Sequence, residues 1–155
     1  MAKLTCTEHG DQANALIHYW TEQHRREAQA RQWFMAAMAL GCLLEAFLYS
    51  YFIIWSGDDN NDPAKDEQIP DNLVLNDLLD AAKQADLLTP GKFKDEFGDH
   101  AVQDVVHELR HLRNNIHAGV ALRGGFDPEK FKKKDYIRLK KIFAAVWDNF
   151  ERYWL

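Results

Sequence analysis

A chain of 155 residues suffices for one ordinary domain with a single core and is short for two. A hydrophobic fraction of 46% and an aromatic fraction of 12% suit a packed globule and exclude a disordered or low-complexity chain. The formal net charge of -5 does not mark a general nucleic-acid binder, and Cys6 and Cys42 lie in segments without disulfide or metal-ligand spacing, so a reducing cytoplasm is the expected setting. The opening MAKLTCTEHG lacks the apolar core of a secretory signal.

From about residue 11 to 55 the chain has no proline and a single glycine, Gly41, which predicts either one very long helix or two joined near residues 28 to 34. An unbroken helix would span roughly 67 Å at about 1.5 Å per residue, long for a domain of this size, so a break is favoured. Within this region WFMAAMALGCLLEAFLYSYFIIW, residues 33 to 55, supports two readings. Its length, its flanking Trp33 and Trp55, and the arginines before it suit a membrane span. Glu45 near its middle opposes that, costing about 2.5–3.5 kcal/mol in a bilayer by analogy with Asp, and the other amphipathic helices need an apolar partner. The central core helix of a bundle is therefore favoured over the span.

An acidic loop, GDDNNDPAKDEQIPDN (57 to 72), follows. The next helix is expected over about 71 to 87, capped by Asp71 or Asn72, with Leu73, Leu75, Leu78, Leu79 and Ala82 on one side. Another is expected over about 100 to 118, with Val102, Val105, Val106, Leu109, Leu112 and Ile116 inward and Gly119 just past its end. The last, over about 128 to 153, carries a stripe from Tyr136 through Leu139, Phe143 and Val146 to Phe150 and Tyr153. It opens with a basic run that includes Lys132, Lys133 and Lys134, which is either a solvated face or a surface for phosphates. Strand signals are almost absent, so the expected fold is all-α: one up-and-down bundle of four to five helices spanning residues 1 to 155.

HELRHLRNNIHAG, residues 107 to 119, supports two chemistries. As a metal site, His107 and His111 stand one helical turn apart with Glu108 placed to activate water, and His117 completes HExxHxxNxxH, which resembles the metzincin pattern with Asn114 in place of its glycine. That pattern also needs a downstream methionine turn, whereas Met1, Met35 and Met38 all lie upstream, and it needs a sheet that no strand signal announces. If the helix runs on to residue 118, His117 points about 120° away from His111, so the zinc reading is disfavoured and no metal is expected.

As a phosphate site, a helix continuing to Gly119 places Asn114 about +40°, His117 about -20° and Arg113 about -60° from Arg110. Four hydrogen-bonding side chains then share one stripe at the edge of the apolar side. Two guanidinium groups can hold a phosphate and stabilise charge developing on it, and a histidine titrating near neutrality can pass protons. The alternative is architectural: Arg113 and Asn114 pair with Glu45 or the acidic loop and orient the helices.

ELRHLRNNIHAG, after an apolar helix with LGCLLEAFL and the segment NLVLNDLLDAAKQADLLT, resembles the HEPN superfamily, in the bacterial branch whose last motif reads LRNxIHxG; the likeness covers roughly residues 30 to 122. The resemblance implies a helical bundle that commonly dimerises and, in many members, a metal-independent endoribonuclease whose motif is arginine, four to six residues, then histidine. Arg110 and His117 satisfy that spacing with six residues between, His111 supplies the polar residue after the arginine, and Arg113 is a less orthodox candidate with three between. The resemblance further implies that His117 transfers protons, Arg110 binds phosphate and the RNA 2′-hydroxyl attacks, with no cofactor. Glu45 is the expected supporting partner and Lys132, Lys133 and Lys134 the expected RNA contacts. The implied setting is a toxin or phage-defence component, a homodimer acting on RNA, with an antitoxin or defence-system protein as a further partner. A catalytically silent HEPN-like module that binds RNA, a nucleotide or a protein would carry much the same residues.

Overall fold

The computed structural model describes residues 6–57, 75–84, 88, 92–95, 98–115 and 118–154. Helices dominate it, as expected for an all-α bundle. Helix α1 spans Cys6–Gln29 and α2 spans Trp33–Gly57, so the break falls inside the expected window. Arg31, at φ 59°, turns the chain: its N–H donates to Ala28 O (3.2 Å) and Gln32 N–H donates to Glu27 O (2.9 Å), the paired bonds that close a helix around a left-handed residue. Glycine normally occupies that position, because a Cβ there is strained. Arg31→Gly is therefore expected to stabilise the protein by about 0.5–1 kcal/mol, read as a raised denaturation midpoint; an unchanged or lowered midpoint would show that Arg31 carries no strain.

Helix α2 is the centre of the bundle, packing against α1 along its length and against three later helices. Ala36, Ala37, Leu40, Leu44 and Leu48 are buried on it. Those neighbours are α3 (Leu75–Gln84), α5 (His107–Asn114) and α7 (Lys133–Trp154). They contribute the apolar residues the sequence pattern nominates: Leu75, Leu78, Leu79 and Ala82 from α3, Leu109 and Leu112 from α5, and Tyr136, Leu139 and Val146 from α7. By length and composition the stretch Trp33–Tyr51 is also apolar enough to cross a membrane, and 56% of that stretch is buried by this packing. The acidic loop after Gly57, the cap at Asp71 or Asn72, Leu73, Ile116 and the side chains of Phe150 and Tyr153 lie outside the described residues.

Two features depart from the sequence reading. A small antiparallel hairpin pairs β1 (Lys92–Asp95) with β2 (Gly98–Ala101), Lys92 opposite Ala101 and Asp95 opposite Gly98. Strands this short carry too little alternation to be seen, and ion pairs fix them to the bundle. Asp95 accepts from His100 Nε2 at 2.9 Å and pairs with Arg138 of α7 at 3.0 Å, and Arg138 also bonds Glu108 of α5.

The second departure concerns the expected helix over 100 to 118. It begins at α4 (Val102–Val105), tightens at Val106, where Leu109 N–H donates to Val106 O, and continues as α5 to Asn114. A further helix, α6, runs Ala118–Gly124, so Gly119 lies within a helix and not beyond one. The terminating glycine is Gly125, at φ 63°: Gly125 N–H donates to Leu122 O and Phe126 N–H to Ala121 O, repeating the closure seen at Arg31. A 3-10 turn over Pro128–Lys130, capped by the Asp127 side chain, then leads into α7.

Candidate functional site

The site is assembled where α5 crosses α2. A Cβ on Gly41 would lie 2.8 Å from Arg113 Cβ and 2.9 Å from Leu109 O, so this crossing requires glycine. The close approach lays Arg113 along α2, where its Nη2 donates to Glu45 Oε2 at 2.5 Å with both side chains about three-quarters buried. Arg113 Nη1 donates to Asn114 Oδ1 at 3.2 Å. Glu45 is thus a direct partner of Arg113 and not of Arg110. The charge of Arg113 is neutralised, as in the architectural reading.

Arg110, about 60° round α5 from Arg113, reaches instead toward α3. Its Nη1 donates to Asn76 Oδ1 at 2.5 Å, and its Nη2 lies 3.3 Å from His111 Nε2. Asn76 in turn donates to Asp80 at 3.1 Å. Among the described residues, Arg110 is held by neutral groups and not by a carboxylate, so it keeps a full positive charge in a fixed orientation. Its bond to His111 requires the neutral imidazole with the proton on Nδ1. His107, one turn earlier, has its pKa lowered by burial and by the Arg110 cation, which keeps its ring neutral at neutral pH. Asn76 escaped the sequence reading, because a single amide on the polar side of a leucine-patterned helix carries no signal of its own.

His111 and Asn114 open onto a cleft of about 550 Å³. Asn115 extends this floor, and Phe126 and Phe131 form the opposing wall, backed by Phe34 at 5.1 and 6.0 Å between ring centroids. Asp127, Lys130 and Asp135 stand at the rim. The closure at Gly125 places Phe126 on this wall. The only sequence signal for the wall was a pair of aromatics in a stretch otherwise rich in glycine, proline and charge.

Of the expected RNA contacts, Lys132 Nζ donates to Glu129 O at 2.6 Å, Lys133 Nζ sits 5.7 Å from the Trp33 ring centroid, and Lys134 is exposed. His117 lies outside the described residues. Glu108, the general base of the zinc reading, is engaged by Arg138, and no three His, Cys, Asp or Glu side chains gather to hold a metal among the described residues. Cys42 lines a second, mostly apolar cavity of about 390 Å³ between α1 and α2, to which the Arg113–Glu45 pair also contributes. Burial pushes its thiol up to about 11, so it stays protonated at neutral pH and is a poor nucleophile.

Among the described residues the architecture is that of an all-α bundle with one small hairpin, and a polar cleft lies beside the Arg110–His111 pair. Comparison with protein-family models, with curated proteins and with solved structures finds no match for this chain.

Proposed function

We propose that the protein is a metal-independent endoribonuclease of HEPN type, with Arg110 as phosphate ligand and His117 as the proton-transfer group. The observation that supports this reading most is the contrast between the two arginines. Arg113 is neutralised by Glu45, whereas Arg110 is oriented by Asn76 and His111, has no carboxylate partner among the described residues, and reaches through His111 the lining of the open cleft. Arg110 is also the arginine whose spacing to His117 fits the resemblance. A guanidinium fixed in this way costs little reorganisation when a phosphate develops charge in the transition state. His117 takes the proton of the attacking 2′-hydroxyl or delivers one to the leaving oxygen, and a 2′,3′-cyclic phosphate end results.

The test is incubation of wild type and His117→Ala with a structured RNA in EDTA, followed by analysis of the product ends. Cleavage by wild type, leaving cyclic phosphate, and its loss in His117→Ala are expected. Activity that appears only on addition of zinc would return HELRH to the metal reading. A second reading, a non-catalytic binding module, draws on the observation that both arginines also tie α5 to neighbouring helices. Binding of RNA without cleavage by wild type would select it.

A further inference from the structure

We infer that the cleft beside Arg110 is a subsite for one unpaired nucleobase bearing an exocyclic amino group: adenine, cytosine or guanine in preference to uracil. This deepens the ribonuclease reading by naming the feature of RNA its site selects.

The cleft's charge decides against a phosphate as its occupant. Two carboxylates, Asp127 and Asp135, face a single lysine at its rim, and a phosphate between them would be repelled. Both carboxylates are fixed by local caps: Asp127 Oδ1 accepts from Glu129 N–H at 3.0 Å and Asp135 Oδ2 from Lys132 N–H at 2.8 Å. Each keeps its second oxygen as an acceptor; at Asp127, Lys130 Nζ stands 3.8 Å away and is itself largely exposed. Fixed carboxylate acceptors match exocyclic amino donors on a base edge, whereas uracil offers there a single N3–H flanked by two carbonyl oxygens that the carboxylates repel. Asn114, whose Oδ1 is occupied by Arg113, and Asn115 add amide groups on the floor.

The wall supplies the second half of base recognition. Phe126 and Phe131 are partly exposed to the cleft and braced by Phe34, a rigid apolar surface on which a flat ring can stack. Only an unstacked base can reach such a wall, so duplex RNA is excluded unless a nucleotide is extruded. A base seated here has its phosphate toward the His111 edge, the side on which Arg110 stands.

Binding is measured by fluorescence anisotropy with labelled, uncleavable 2′-O-methyl oligonucleotides: oligo(A), oligo(C), oligo(U) and an oligo(A) carrying abasic positions. Oligo(A) and oligo(C) are expected to bind roughly tenfold or more tightly than oligo(U) and the abasic strand. Phe131→Ala should erase the difference and Phe131→Tyr retain it, while Asn115→Ala probes the floor without disturbing the aromatic packing should Phe131→Ala fail to fold. Equal binding of all four strands, or binding of none, overturns the base subsite. The parent reading is separable: cleavage in EDTA with base-indifferent binding leaves the ribonuclease and removes the subsite, whereas base-dependent binding without cleavage does the reverse.

Discussion

Arg110→Ala is expected to lower the rate of RNA cleavage by roughly 10²–10³-fold while leaving the denaturation midpoint little changed, and Arg113→Ala is expected to do the opposite. The two residues lie three positions apart on one short helix, yet their surroundings assign them different work. Arg113 compensates Glu45 in the packed seam between α2 and α5, with only 23–24% of each side chain exposed. Its removal strands a carboxylate there and is expected to cost about 1–3 kcal/mol, less than the loss of one partner from a fully buried pair because water still reaches both groups. Glu45→Gln should recover part of the stability of Arg113→Ala, since it removes the stranded charge. Among the described residues Arg110 bonds the amide of Asn76 and the ring of His111, so alanine there forfeits hydrogen bonds to neutral groups at a partly open site. Denaturant titrations and cleavage rates on both variants decide the matter. A folded, fully active Arg110→Ala would remove Arg110 from the chemistry, and a stable but inactive Arg113→Ala would transfer the phosphate-binding role to Arg113.

Gly41→Ala is the second large effect expected. Its new Cβ would meet the carbonyl oxygen of Leu109 at 2.9 Å and the Cβ of Arg113 at 2.8 Å, distances that side-chain rotation cannot relieve. Helix α5 must shift away from α2, weakening the contacts of buried Leu109 and Leu112 and drawing Arg113 from Glu45. Overpacking of this kind costs about 1–3 kcal/mol, against which alanine's better helix propensity returns about 1 kcal/mol, so a net loss of stability is expected. A denaturation midpoint equal to or above that of wild type would show that the crossing tolerates a methyl group.

Much of the bundle was legible because α-helices announce themselves by period. The buried sets on α3 and α5 are those their spacing nominates, on α7 the unforeseen Ile142 is fully buried where the nominated Phe143 is only partly so, and the scarcity of glycine and proline before residue 57 marked α1 and α2 as helices. The join between α1 and α2 was placed only approximately, because its left-handed turn is made by an arginine. Gly119 misled for the complementary reason: glycine ends many helices, but here the chain resumes a helix at Ala118 and stops at Gly125. The hairpin was missed because its strands are four residues each and are held by Asp95 and Arg138, partners 43 positions apart in the chain.

For the site, the sequence by itself determined the stock of groups: two arginines, an asparagine and histidines on one amphipathic helix, with Glu45 at the heart of an apolar one. It could not apportion them. Whether an arginine is a neutralised strut or an available cation depends on what faces it from another helix, and only the packing of α5 on α2 and α3 gave Arg113 to Glu45 and Arg110 to Asn76. The aromatic wall of the cleft was likewise a tertiary decision. Phe126 and Phe131 lie in an irregular stretch without periodicity, and packing against Phe34 brings them opposite His111 and Asn114. Local pattern sets which face of a helix is buried, because that depends on residues three and four apart; partnership across helices depends on distances along the chain that no local pattern encodes.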